Sequence, residues 1–242
     1  MVISSSIYAQ KTMNLNQNKF TIEVWSDIMC PFCYIGKRNF EKALTQFKYA
    51  SEINLVWKSY ILDPSLNADS AKAKTIYQYL AERKGWTVEY SKEMHEYVFN
   101  MAKESGLNYN FDKMIVANSV QAHQIIQYAK TLNLGDKAEE VFFNAYFCEG
   151  KDLNKVETLV DLGEKIGLTA KEVEFALHDH TSMLALQRDL DEADKLNIGG
   201  VPYFLIDKKY NISGAQSPKL FLETLEKAYK NWKEDASSNL KN

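Results

Sequence analysis

The chain has 242 residues, 45% apolar and 25% charged, which is the balance of a soluble globular protein with one large domain or one domain carrying a large insertion. Its 29 basic and 32 acidic side chains leave a formal net charge of −3, so the basic excess typical of nucleic-acid-binding proteins is missing. No stretch approaches the roughly 18 consecutive apolar residues of a membrane span, and we expect no contact with a membrane.

The amino-terminal part of the chain predicts a tail, two strands and a helix. Residues 1–19 are rich in Ser, Asn and Gln and predict a disordered tail. Alternating β-branched and aromatic residues predict strands at Phe20–Ser26 and Ile53–Leu62. Between the strands, apolar residues at helical spacing predict a helix that starts at Pro31.

Strand signals then stop, and apolar residues recur every three or four positions over a long block. This spacing predicts helices at residues 75–84, 90–104, 117–133, 136–149, 155–166, 171–178 and 182–196. Strand character returns at Pro202–Ile206 and Tyr210–Ser213. An amphipathic helix, Pro218–Trp232, follows and leaves residues 233–242 as a polar tail.

This order of elements predicts an α/β fold in which a large all-helical insertion interrupts one mixed sheet. The two halves are too short to form separate cores, so both ends of the chain must complete the same sheet. We place the sheet domain at residues 20–64 and 181–232, and the insertion at 65–180.

The chain has three cysteines, Cys30, Cys33 and Cys148. This low, odd number does not describe a disulfide-stapled secreted framework. The first residues lack the basic and apolar regions of a secretory signal, so we expect a cytoplasmic protein. In that reducing compartment, the CxxC spacing of Cys30 and Cys33 indicates redox chemistry or metal binding.

The CxxC lies where the first strand meets the first helix. Pro31 suits the first helical position, which places Cys30 at the amino cap beside unpaired backbone N–H groups. These groups and the helix dipole favour a thiolate, the attacking species in disulfide exchange. Cys33, one turn further along, is positioned to resolve a mixed disulfide by attacking Cys30.

A structural zinc site is the alternative for the CxxC. Zinc requires four ligands, which would have to come from Cys148 and the scattered histidines. The close pair His178 and His180 lies in the helical block, away from the CxxC in sequence. We therefore expect no metal site.

Five segments of this sequence resemble a known family. They are Ile22–Lys37 (IEVWSDIMCPFCYIGK), Asn118–His123 (NSVQAH), Ala145–Gly150 (AYFCEG), Gly199–Phe204 (GGVPYF) and Ile212–Gln216 (ISGAQ). They are similar to segments of DsbA-like thioredoxin-fold oxidoreductases, and most similar to the FrnE-like branch. That branch is related to 2-hydroxychromene-2-carboxylate isomerases and kappa-class glutathione transferases.

The resemblance implies a thioredoxin-like domain with a helical insertion, which agrees with the predicted order of elements. It implies that Pro202 follows a cis peptide bond beside the CxxC and that the Val201 backbone pairs with substrate. Cys30, Cys33 and Pro202 would then be the catalytic residues, with no dissociable cofactor and with glutathione as a candidate redox partner. We expect protein or small-molecule disulfides and dithiols as substrates, and a monomer or homodimer.

Further substrate contacts are predicted at Pro31, Phe32, Ser119 and His123. His123 has two interpretations, a satisfied interior histidine or a residue of the insertion that borders the CxxC. Phe32 stands where strongly oxidising DsbA proteins often have His, and its neutral ring cannot stabilise the Cys30 thiolate as a cation would. Cys148 is interpreted as a small buried apolar residue, or alternatively as a third functional thiol.

Two other functions compete with disulfide exchange. The first is a glutathione-dependent isomerase or transferase of the related branch, although such enzymes typically have Ser in place of the nucleophilic Cys30. The second is a non-catalytic, chaperone-like binding module that uses the helical insertion. Retention of both Cys30 and Cys33 favours the oxidoreductase.

Overall fold

The computed structural model describes residues 19–67 and 73–239. The described strands are β1 (Phe20–Ser26), β2 (Ile53–Ser59), β3 (Tyr203–Ile206) and β4 (Tyr210–Ser213). They form one sheet in the order β2-β1-β3-β4. β1 runs parallel to β2 and antiparallel to β3, and β4 pairs antiparallel with β3. The predicted mixed sheet, completed by both ends of the chain, is confirmed.

The same described residues form nine α-helices. They are α1 (Pro31–Leu44), α2 (Ile76–Lys84), α3 (Val88–Glu104), α4 (Val120–Thr131), α5 (Gly135–Phe143), α6 (Val156–Ile166), α7 (Ala170–His178), α8 (His180–Lys195) and α9 (Pro218–Asn239). α2 to α8 lie between β2 and β3, which confirms that a helical insertion interrupts the sheet. The exact domain boundaries stay a prediction. None of the helices described is long and apolar enough to cross a membrane.

β2 is shorter than predicted, because it ends at Ser59 rather than Leu62. Its partner β1 ends at Ser26, whose carbonyl still accepts the Tyr60 N–H at 2.8 Å just beyond the end of β2. The Leu62 N–H instead donates to the Asp27 carboxylate at 2.7 Å. A side chain therefore takes over the role of a neighbouring strand at this edge.

The closing helix is longer than predicted, because α9 continues past Trp232 to Asn239. The polar residues of this stretch keep helical spacing, and Lys230 pairs with Glu234 one turn later. The Ser237 hydroxyl donates to the carbonyl of Lys233, four positions back. Charged residues that carry no apolar periodicity thus still extend a helix. The predicted tail at residues 1–19 lies outside the described residues except for its last position.

Two apolar clusters flank the redox segment. α1 and α9 cover one face of the sheet, where Phe40 and Phe221 pack against Phe204 of β3. The second cluster fills the insertion, and Cys30 and Cys33 belong to it. The CxxC therefore lies between the sheet and the insertion, and both of its cysteines are buried there.

Candidate active site

The segment Cys30-Pro31-Phe32-Cys33 joins β1 to α1. Cys30 caps α1 with an extended backbone (φ −91°, ψ 110°), and Pro31 is the first helical residue. The Cys30 N–H donates to the Asp27 carbonyl at 2.9 Å, and the Cys33 N–H donates to the Cys30 carbonyl at 3.0 Å. The strand-to-helix junction predicted for the CxxC is therefore confirmed.

Cys30 and Cys33 are both free thiols, with exposed fractions of 4% and 1%. Burial raises the pKa of the Cys33 thiol well above its ordinary value, and the hydrogen bond and charge of Cys30 raise it further. The Asp27 backbone and the Ser26 hydroxyl act in the opposite direction on the same pKa. Cys33 is therefore a protonated thiol at neutral pH, and its proton must leave before its sulfur can attack.

The Val201–Pro202 peptide bond is cis. The Cys30 thiol donates to the Val201 carbonyl oxygen, with the sulfur 3.4 Å from that oxygen. The Gly214 N–H donates to the Pro202 carbonyl at 2.8 Å and ties this segment to the end of β4. The structure thus brings Val201 and Pro202 to Cys30, and the Val201 carbonyl expected for a substrate backbone is engaged by the Cys30 thiol here.

Pro31 and Phe32 are both half-buried, and Phe32 packs against the apolar cluster of the insertion. The Pro31 carbonyl accepts a hydrogen bond from the Tyr109 hydroxyl at 2.7 Å. Tyr109 stacks on Phe147, with ring centroids 4.8 Å apart. Tyr109 was not predictable from the sequence, because it lies in an irregular segment between α3 and α4 where no periodic pattern exists.

Ser119 and His123 lie in the interior, with exposed fractions of 2% and 0%. The His123 Nδ1 is 3.0 Å from the Ser59 hydroxyl oxygen, and Nε2 is 3.3 Å from Oδ1 of Asp27. The Ser119 hydroxyl is buried without a hydrogen-bond partner. This burial fits the interior interpretation of His123, and no surface exposure supports a direct substrate contact by either residue.

Asp27 is a second residue that sequence analysis missed. Its Oδ1 accepts the Met29 N–H at 3.0 Å, and its Oδ2 accepts the Leu62 N–H. The carboxylate is completely buried and fixes the turn that precedes Cys30. The sequence did contain one signal for Asp27. It is a polar residue that directly follows a buried strand and precedes Cys30 by three positions.

A buried cation follows the CxxC on α1. Lys37, one turn after Cys33, is 2% exposed and pairs with Glu41. Its ammonium nitrogen also lies 3.2 Å from the Asp136 carboxylate and 3.4 Å from that of Glu140. Burial alone would lower the pKa of Lys37, but these carboxylates raise it. The positive charge of Lys37 thus joins helix α1 to the insertion, because both of these carboxylates belong to helix α5.

No three His, Cys, Asp or Glu side chains of the described residues come together as a metal site. His178 and His180 lie at the junction of α7 and α8. Cys148 ends a π-helical turn, Asn144–Cys148, that follows α5. It is half-buried, and burial raises the pKa of its thiol.

Comparison with known proteins agrees with this arrangement. Residues 21–226 match the family model of the DSBA-like thioredoxin domain. The chain belongs to this family. A probable DsbA oxidoreductase from Streptomyces coelicolor is 30% identical to this DSBA-like chain, with a TM-score of 0.82 and coverage of 87% of this chain and 90% of that one.

Two further comparisons extend the DSBA-like relationship. The uncharacterized protein YwbO of Bacillus subtilis is 28% identical over an alignment of 209 residues that covers 83% of this chain and 92% of YwbO. The cytosolic disulfide reductase DsbM from Pseudomonas aeruginosa shares the fold at 14% identity. Its TM-score is 0.62, with coverage of 87% of this chain and 98% of DsbM.

Proposed function

We propose that this chain is a dithiol–disulfide oxidoreductase that exchanges disulfides with protein or small-molecule thiols through Cys30 and Cys33. One observation carries the proposal. The Cys30 sulfur lies at the amino end of α1, within 3.4 Å of the Val201 carbonyl that precedes Pro202, and Cys33 lies beside it as a protonated thiol.

Each residue has a separate task in the exchange. The Cys30 thiolate attacks one sulfur of a substrate disulfide and forms a mixed disulfide, while the other substrate sulfur leaves as a thiolate. Cys33 then loses its proton and attacks the Cys30 sulfur. A Cys30–Cys33 disulfide forms, and the second substrate thiolate leaves. The reverse sequence oxidises a substrate dithiol.

The residues around Cys30 would bind substrate through backbone and apolar contacts. An extended substrate segment would displace the Cys30 thiol from the Val201 carbonyl. The backbone of that segment would then hydrogen-bond to the Val201 backbone as an added strand. Pro31 and Phe32 are exposed enough to contact such a segment. The chemistry needs no dissociable cofactor, because the electrons reside in the two thiols. Glutathione is the small-molecule redox partner that we propose for the cytoplasm.

Thiol-dependent reduction of insulin disulfides tests the proposal. We expect Cys30→Ser to abolish turnover and Cys33→Ser to accumulate a mixed disulfide on Cys30. The matched control Cys148→Ser removes the remaining thiol and should keep wild-type turnover. Turnover that survives in Cys30→Ser would refute the assignment.

The same variants separate the competing functions. Glutathione conjugation or isomerisation that survives Cys33→Ala would favour a glutathione-dependent enzyme, because that chemistry uses one attacking centre. Suppression of aggregation that is equal in the wild type and in a variant without Cys30 and Cys33 would favour a chaperone-like module. Insulin turnover that depends on both Cys30 and Cys33, with neither of these residual activities in the variants, supports the oxidoreductase.

A further inference from the structure

A pocket of about 490 Å³ lies in the helical insertion. Residues of α2 and α3 line it, together with the segment 109–112 that follows α3. Among the described residues, five with aromatic rings belong to this lining, namely Tyr77, His95, Phe99, Tyr109 and Phe111. The proposed disulfide exchange does not use this pocket.

Four of these rings contact one another edge to face and form a continuous wall. His95 packs between Tyr77 and Phe111, with ring centroids 4.9 Å and 4.7 Å from its own. Tyr109 continues the row, with its ring centroid 5.6 Å from that of Phe111. The faces of aromatic rings carry negative charge density, so a wall of this kind attracts cations.

The polar groups of the lining also favour a cation. Lys92 contributes one positive charge, and Glu96 and Asp112 contribute two negative charges, so one negative charge remains. Nδ1 of His95 donates to the Ser91 carbonyl at 2.7 Å, so Nδ1 carries the hydrogen. Burial lowers the pKa of His95, which keeps the ring neutral and leaves Nε2 as an acceptor. An occupant with positive charge and hydrogen-bond donors matches these groups.

One ring of the pocket already contacts a cation. The Lys92 ammonium nitrogen lies 5.9 Å from the centroid of the Tyr77 ring. The Tyr77 hydroxyl donates to Oδ1 of Asp112 at 2.8 Å, which holds the ring and the carboxylate together. Lys92 is exposed, and its flexible stem lets it leave this position. The ring and the carboxylate would then be open to a cation from another molecule.

Tyr109 joins the pocket to the redox centre. Its side chain lines the pocket, and its hydroxyl donates to the Pro31 carbonyl at 2.7 Å. Pro31 directly follows Cys30. The length of one tyrosine side chain therefore separates the wall of the pocket from the residue beside the attacking sulfur. A polypeptide whose cysteine meets Cys30 can place a side chain from a few positions away in the pocket.

We propose that this pocket binds a lysine or arginine side chain of the substrate protein, close in sequence to the cysteine that Cys30 attacks. The inference rests on the proposed function and names its substrate class, which is protein disulfides flanked by a basic residue. The aromatic wall would attract the cation, and the Glu96 and Asp112 carboxylates would accept its hydrogens. The pocket would add affinity and fix the register of the substrate without taking part in the exchange of sulfurs.

Disulfide peptides that release a coloured thiolate test the inference. Each synthetic peptide has one cysteine in a mixed disulfide with thionitrobenzoate, and its other residues are glycine and serine. Arginine, or its neutral analogue citrulline, is placed at one position at a time on either side of the cysteine. The Cys30 thiolate of the reduced protein attacks the peptide sulfur, and thionitrobenzoate leaves as a thiolate. We expect arginine to react about fivefold faster than citrulline, or more, at one or two positions and equally fast elsewhere.

Two variants change the charge of the pocket in opposite directions. The double variant Glu96→Gln/Asp112→Asn should abolish the preference for arginine. Lys92→Gln removes the competing ammonium and should raise the preference by about twofold or more. All three side chains are exposed, so both proteins should fold. Glu93→Gln is the matched control and should keep the wild-type preference, because Glu93 is an exposed acid of the same helix that does not line the pocket.

The outcomes distinguish the inference from the proposed function. Equal rates for arginine and citrulline at every position would overturn the inference alone, since Cys30 would still release thionitrobenzoate. The same preference for arginine at every position would also overturn it, because the net negative charge of the chain would then be the cause. So would a preference that survives in the double variant, or one that falls in Lys92→Gln. Release at the wild-type rate by Cys30→Ser would overturn the proposed function, and the inference with it.

Discussion

The backbone of Gly36 lies against the ring of Pro202. A Cβ at Gly36 would come within 3.0 Å of Cγ of Pro202, closer than nearly all Cβ contacts in proteins. Gly36 is on α1, the helix that Cys30 caps, and Pro202 follows the Val201 carbonyl that contacts the Cys30 sulfur. The absence of a side chain at position 36 therefore sets the distance between the CxxC helix and the predicted substrate-binding segment.

Gly36→Ala should reduce insulin turnover several-fold while the protein stays folded. The added methyl must push Pro202 and the Val201 carbonyl away by a few tenths of an ångström, which displaces the substrate backbone relative to Cys30. Stability should change little, because alanine gains up to about 1 kcal/mol over glycine within a helix and offsets the contact. Gly199→Ala is the matched control, because a Cβ there meets no atom within 4 Å. Equal turnover in both variants would contradict this account.

Tyr109→Phe should lower the free energy of unfolding by about 1 kcal/mol, because it removes the hydrogen bond that the buried Tyr109 side chain donates to the Pro31 carbonyl. Tyr146→Phe is the control, since the Tyr146 hydroxyl is buried without a hydrogen-bond partner, and its removal should be neutral or slightly stabilising. Urea denaturation of the reduced proteins measures both. A Tyr109→Phe variant as stable as Tyr146→Phe would show that the bond to Pro31 contributes nothing.

Glu139→Gln should change how stability depends on pH. Burial, the largest cause, raises the pKa of Glu139 to about 7 from an ordinary value of 4.5. The unfolded chain therefore releases this proton at lower pH than the folded protein, and wild-type stability falls as pH rises from about 4.5 to 7. Glutamine has no such proton, so relative to wild type the variant should gain roughly 2–3 kcal/mol between pH 5 and pH 8. Parallel stability profiles of the two proteins would refute the shifted titration.

The redox centre was predictable from sequence because its signals are local. Pro31 suits a helix start, and β-branched residues before Ser26 indicate a strand, so the position of Cys30 followed from adjacent residues. β1 was predicted with both of its observed ends. The family resemblance added Val201 and Pro202, which no local pattern connects to the CxxC.

The buried polar contacts beside the redox centre were not predictable in the same way. Asp27, Ser59 and Asp189 meet around His123 and Gln127 only because parallel strands and packed helices bring distant segments together. Hydrophobic periodicity cannot locate such polar contacts, since it reports which face is buried and not what it meets. The burial of His123 was not predictable for the same reason. The sequence pattern around it fitted both an interior residue and a residue that borders the site.

The redox equilibrium of the Cys30–Cys33 pair tests the central claim most directly. The protein is equilibrated with glutathione buffers of different ratios, quenched in acid, alkylated and digested with trypsin. Cleavage after Lys19 and Lys37 yields one peptide that contains Cys30 and Cys33 but not Cys148. We predict that mass spectrometry finds this peptide fully convertible between dithiol and internal disulfide, with the dependence of a two-electron couple. A peptide that is alkylated at both cysteines across the whole range of buffers would contradict the account.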